Sequence, residues 1–159
     1  MGTRSQALAD RYAQVVAELI QTVEACSDQQ WAAICGGEGW TVAATAQHLG
    51  AQLPLEREYI SAAAEGTAMP SYTWDDINGL NERRAKENAA CGKSDVLKLI
   101  RDNTSAIGAY VRGLSDEQLD RTASLPLAGG ATVTTQQLIE GGVLIEHATG
   151  HLASIRAAG

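Results

Sequence analysis

The sequence predicts an all-α fold, a four-helix bundle formed by a single domain over residues 1–159. Three observations carry this. Apolar residues recur at spacings of three and four through several long segments, the period of a helix face. Capping-box patterns, Ser or Thr followed three residues on by Gln, open helices at Ser27–Gln30, Ser115–Gln118 and Thr134–Gln137. Phe is absent and Ala abundant, a composition that suits helices, and no strand pair is evident.

Each element follows from local chemistry. Leu8, Tyr12, Val15, Leu19 and Val23 form one stripe of a first helix over about residues 5–25. The Ser27 box opens a short helix through Trp31 and Ile34, and Gly36, Gly37 and Gly39 end it in a loop. Thr41 is the N-cap of the second long segment, whose face runs through Val42, Thr45, Leu49, Leu53, Glu56 and Ile60. Pro54 lies within it, lacks an N–H for the carbonyl of Gly50, and predicts a kink there. Gly66 and Pro70 close the segment.

A third helical region starts near Trp74, pauses at Cys91 and Gly92, and resumes with Ser94 as N-cap. Its stripe is Leu97, Ile100, Thr104, Ile107 and Val111, and residues 75–113 read equally as one broken helix or two. The Ser115 box opens a short helix. Residues 125–133, with Pro126, Gly129 and Gly130, read as a loop containing at most a short extended piece. The Thr134 box opens a last helix reaching about Ala157. Gly141, Gly142 and Gly150 each cost roughly 1 kcal/mol against Ala inside a helix. Close packing, or room for a ligand beside the helix, would offset that.

Composition narrows the function. Twelve Lys and Arg against nineteen Asp and Glu give a net charge of −7, opposite to a nucleic-acid-binding surface. No apolar run approaches the roughly 18 residues of a membrane span, and the first six residues lack the apolar stretch of a signal peptide. Three cysteines without a CxxC argue against a disulfide framework or a cysteine-rich zinc site. A cytoplasmic protein acting on a small molecule is expected.

The three histidines are the most informative feature. His147 and His151 lie four apart, so both imidazoles share one helix face and can grip one ion. His48, beside the core-facing Leu49, can reach the same interior from a facing helix, as bundle metal sites are commonly built. The residues after His147 are Ala148 and Thr149, so this is not the HExxH motif of metalloproteases. Glu146 points about 100° away from His147 and is expected to be a solvent charge. Gln52 could support His48 or serve as a rim polar group. Arg57, Arg83 and Arg84 could meet an anionic substrate or be solvated, and core anchoring is the default for Trp40 and Trp74.

Gly39-Trp40-Thr41 leading to His48-Leu49, together with His147 and His151 on the closing helix, resembles the DinB-like superfamily over essentially the whole chain. That superfamily includes S-transferases that use mycothiol or bacillithiol, and the N-terminal domain of mycothiol-dependent maleylpyruvate isomerase. The resemblance implies an up-down-down-up bundle, a divalent ion on His48, His147 and His151, and frequent homodimers. The isomerase branch carries glutamate where this chain has His147, and 159 residues leave no room for its second domain, so maleylpyruvate isomerisation is not expected.

Three imidazoles leave an ion with open positions, which can activate water for hydrolysis or a thiol for transfer. Zinc is the expected metal and nickel the runner-up. A metal-dependent transferase using a low-molecular-weight thiol is the expected function. A metal-dependent hydrolase and a non-catalytic metal-binding or stress protein are the alternatives.

Overall fold

A computed structural model describes residues 2–158. The bundle is built from α1 (Thr3–Ala25), the pair α3 (Val42–Ala51) and α4 (Leu53–Glu65), α6 (Lys93–Arg112) and α9 (Ile145–Ala157), with α2 (Asp28–Ala32), α5 (Trp74–Glu87), α7 (Asp116–Asp120) and α8 (Thr135–Glu140) between them. All three predicted capping boxes form, and Thr41 caps α3 through the amide of Ala44.

Cross-helix pairs fix the topology. Arg112 meets Asp10 and Arg101 meets Glu24, so α6 runs opposite to α1. The Cys91 thiol faces the carbonyl of Ala43 while Asn103 bonds that of Gly50, so α3 and α6 run the same way. The start of α1 meets α8 through Arg4 and Gln136, and Arg156 near the end of α9 reaches Glu18, so α9 runs with α1. The order is therefore up-down-down-up, as the resemblance implied. The core between them is aliphatic, with Val23, Ile60, Ile100, Ile107, Leu119, Ile139 and Leu144 fully buried. Each such side chain contributes about 1.5–3 kcal/mol of burial.

Pro54 breaks the second segment as expected, but the flaw is repaired. It occupies the first turn of α4, where its missing N–H costs nothing. The carbonyl of Gly50 that it leaves free accepts from Asn103 Nδ2 at 2.9 Å. Gly50 itself is required by close packing, because a Cβ there would lie 3.0 Å from Leu99 Cγ and 3.3 Å from the backbone nitrogen of Ile100.

Four details differ from the sequence reading. Within 75–113, which forms two helices, the cap expected at Ser94 is instead Gly92, and Ser94 lies inside α6. The short helix after Ser27 ends at Ala32, leaving Ile34 exposed and bridged to Thr41. The expected loop at 125–133 belongs to an antiparallel hairpin, β1 (Thr122–Leu125) with β2 (Ala131–Thr134), paired Thr122 to Thr134 and Leu125 to Ala131. Its turn is a short 3-10 segment at Pro126–Ala128, followed by Gly129 and Gly130 at φ +65° and +83°, where any side chain would be strained. Finally, the last helix is not continuous. α8 ends at Gly141, whose ψ of −149° leaves the helical region, and α9 restarts at Ile145.

Candidate functional site

His48 lies on α3, and His147 and His151 on α9, two elements that pack against each other. His147 Nε2 lies 3.2 Å from His48 Nε2 and 3.1 Å from His151 Nε2, and one nitrogen from each of the three rings falls within 4.8 Å of the others. The three predicted residues therefore meet at one point in the bundle interior. Glu146 is exposed, as its angular offset required.

The remaining ring nitrogens show how the cluster is oriented. His147 Nδ1 lies 2.7 Å from Glu56 Oε1, and His151 Nδ1 lies 2.7 Å from Glu38 Oε1. A carboxylate on Nδ1 assigns the proton to that nitrogen in the neutral ring and leaves a lone pair on Nε2. At 3.1 Å, the His147 and His151 lone pairs then face each other with no proton between them. A cation held in common satisfies both. Tetrahedral ligands at about 2.0–2.1 Å from zinc stand about 3.3–3.4 Å apart, close to the separations seen here. The residues present fit a divalent metal.

Electrostatics favours the neutral forms of His48 and His151. Burial pushes the His48 pKa down to about 3, helped by the neighbouring His147, His151 and Arg84. His151 is lowered by burial and by His147, against the opposing pull of Glu38. Glu56, only 6% exposed, is raised by burial, with His147 acting in the other direction. Unlike the other two rings, His48 has a buried Nδ1 without a partner.

Trp40 forms the wall of the cluster. Its ring stacks at 17° on His151 and meets His48 edge-on at 5.4 Å between centroids, while its Nε1 donates to Glu82. It is half-buried against the histidines. Trp74 is not a core anchor either: it is 57% exposed, and its Nε1 donates to the carbonyl of Leu127, pinning the hairpin turn.

Beside the histidines lies a cavity of about 380 Å³. His48, His147, Tyr59 and Ile77 line it, together with Leu127 and Val133 from the hairpin. Gly142 lines it as well, so the helix break at Gly141 opens room for a ligand. Gln52, one turn after His48, also lines it and accepts from Arg84 Nη1 at 2.9 Å. Arg57 stacks over Tyr110, Arg83 is exposed, and none of the three arginines lines the cavity.

Sequence reasoning missed Glu38 and Glu56 as histidine partners. Glu56 stood on the inward stripe of its helix, and a carboxylate on an apolar face four residues after Gln52 was a signal of a buried polar partner. Glu38, in a glycine-rich loop, carried no such signal.

This fold and this three-histidine cluster define a DinB-like bundle protein. Residues 12–142 match the family described as the mycothiol maleylpyruvate isomerase N-terminal domain, and the chain belongs to that family. The matched span includes His48 and stops before α9, so the other two histidines are placed by the structure. No curated protein matches the chain in sequence. Among solved structures it is similar to YfiT from Bacillus subtilis, described as a probable metal-dependent hydrolase with an unusual four-helix bundle topology. That similarity has 22% identity and a TM-score of 0.78, over 99% of this chain and 87% of that one. It is similar to the mycothiol-dependent maleylpyruvate isomerase at 13% identity and a TM-score of 0.73, over 98% of this chain but 63% of that one. It also resembles the colibactin self-resistance protein ClbS, solved in complex with double-stranded DNA, at 12% identity and a TM-score of 0.73, over 97% and 94% of the two chains. These likenesses establish the fold. No described helix is long and apolar enough to cross a membrane.

Proposed function

We propose that this chain is a metal-dependent enzyme that transfers a low-molecular-weight thiol, mycothiol or a relative, onto a small electrophile. His48, His147 and His151 would hold one divalent cation, zinc by preference and nickel as runner-up. Bound there, the cation would supply the Lewis acidity that lowers a thiol's pKa toward neutrality.

One observation carries the choice of thiol over water. The matched family is described by mycothiol, and a free thiol, with a pKa of about 8.5, starts closer to ionisation than water at about 15.7. The two carboxylates of the cluster, Glu38 and Glu56, both sit on Nδ1, on the side of the imidazole ring away from the converging nitrogens. There they orient the rings. A cation would bring a thiol to its nucleophilic form more readily than water. In the transfer the sulfur forms the new bond to carbon, its proton passes to solvent, and the leaving group departs with the electron pair of the broken bond.

The description of YfiT supports hydrolysis as the second reading. The charge of −7 disfavours a DNA ligand of the kind seen with ClbS. A small-molecule substrate, a cytoplasmic setting and a homodimer complete the proposal.

The test is a thiol-transfer assay with monochlorobimane, using mycothiol and bacillithiol as donors and zinc-loaded protein. Fluorescent product above the uncatalysed rate, lost in His147→Ala, is expected. Turnover of an ester panel without any thiol transfer would replace this reading with the hydrolase.

A further inference from the structure

The cavity beside the histidines has a charge character that its family name does not suggest. Maleylpyruvate is a dicarboxylate. Among the described residues, no Lys or Arg lines this cavity, and its walls are mainly aliphatic and aromatic. Glu56, its one acidic residue, is engaged by His147. One carboxylate of a bound dianion could sit against the cation, but the second would meet no cation in the lining, since Arg84 lies behind Gln52 and spends a donor on it. Burying an unpaired carboxylate is strongly unfavourable.

The remaining polarity comes from the Tyr59 hydroxyl and three amides, of which Gln137 spends its oxygen on the Thr134 N–H and Gln52 and Asn81 are the other two. Gln52 is 6% exposed and lies one turn from His48, because the backbone stays helical through it and its amide bonds the His48 carbonyl. Arg84 donates to Gln52 Oε1 and so decides which way the amide faces. With its oxygen taken, Gln52 has an NH₂ to offer. Asn81, on the cavity face of α5 with Trp74 and Ile77, has a buried Oδ1 without a partner. An asparagine amide turns about its last torsion at low cost, so an entering N–H can claim that oxygen.

We propose that the cavity binds an uncharged, largely apolar molecule carrying a carbonyl group, that the Gln52 amide donates to that carbonyl, and that Arg84 is the positioning residue that aims Gln52. The inference rests on reading this cavity as the substrate side of the three-histidine site. It deepens that reading by naming the substrate class.

The test uses the full chain, as purified and after EDTA treatment, titrated calorimetrically with 3-phenylpropanamide and with 3-phenylpropanoate. In the EDTA-treated protein the neutral amide should bind about tenfold more tightly than the carboxylate. Gln52→Leu should weaken the amide about tenfold and leave binding of propylbenzene unchanged. Arg84→Met should weaken the amide as well, and Arg84→Lys should restore part of it, a rescue that a merely structural role would not give. Equal or tighter binding of the carboxylate to EDTA-treated protein overturns the proposal. So does an absence of saturable heat with the amide, or amide binding indifferent to Gln52→Leu. Zinc uptake by the EDTA-treated protein, measured separately by mass spectrometry, distinguishes the two readings. Amide binding without zinc uptake keeps the cavity assignment and removes the metal one.

Discussion

Glu56 Oε1 lies 2.7 Å from His147 Nδ1, and this contact ties a helix of the first half of the chain to the helix carrying two of the three converging histidines. A buried carboxylate on the outer nitrogen of a ligand histidine fixes the tautomer, aims the ring and raises its basicity. Glu56→Leu should therefore lower zinc affinity about 10–100-fold with the three histidines intact, and Glu56→Gln should lower it less. Competition against a chromophoric chelator measures this. Unchanged affinity in Glu56→Leu would show that the carboxylate serves packing alone.

The ligands themselves make a sharper expectation. If the three histidines hold zinc as proposed, alanine at His147 or His151 should remove most of it and the double replacement all of it, because two of three imidazoles are gone. Glu146→Ala leaves zinc content unchanged, since that side chain faces solvent. Elemental analysis of purified variants reads both. Zinc that survives the double replacement would place the site elsewhere.

The contribution of His48 to the stability of the metal-free protein should depend on pH with a definite sign. Unfolded His48 takes up a proton below about pH 6.5, whereas the buried ring resists until about pH 3. The unfolded state thus binds more protons across that window, and stability falls as pH falls. The loss from His48 is about 2 kcal/mol at pH 5, and His151, lowered for the same reason, adds in the same direction. Urea unfolding of EDTA-treated protein from pH 7.5 to 5 measures it, and His48→Leu should flatten the slope. A slope unchanged in His48→Leu would contradict the burial-driven shift.

Asn103 repairs the helix break, so removing it should expose the cost of Pro54. In Asn103→Ala the buried carbonyl of Gly50 loses its partner, at about 1–2 kcal/mol. A lower Tm with unchanged zinc affinity is expected, because the repair lies away from the ligand nitrogens. An unchanged Tm would mean that another group takes over the carbonyl.

Gly50→Ala tests the close approach of α3 and α6. The added methyl meets Leu99 and the backbone of Ile100, and backbone cannot swing aside. Destabilisation of about 1–3 kcal/mol is expected from overpacking. Thermal unfolding beside the Asn103 variant measures it, and a neutral result would show that the two helices separate freely.

What the sequence determined by itself was local. The Ser27, Ser115 and Thr134 caps, the interruption at Pro54 and the shared face of His147 and His151 each depend on residues within about one helical turn. Spacing alone therefore made them readable, along with the all-α class. The partners of those residues were decided only by the tertiary structure. His48 meets His147 across 99 residues of chain, Glu38 meets His151 across 113, and Asn103 finds the Gly50 carbonyl across 53. No periodicity encodes such pairings. The hairpin at 122–134 was hidden because strands of four residues are too short to show an alternating pattern. The break at Gly141 was hidden because a continuous helix and two offset helices carry the same caps and the same apolar spacing. Packing against α3 and around the cavity selects the broken form, where two adjacent glycines make the interruption cheap.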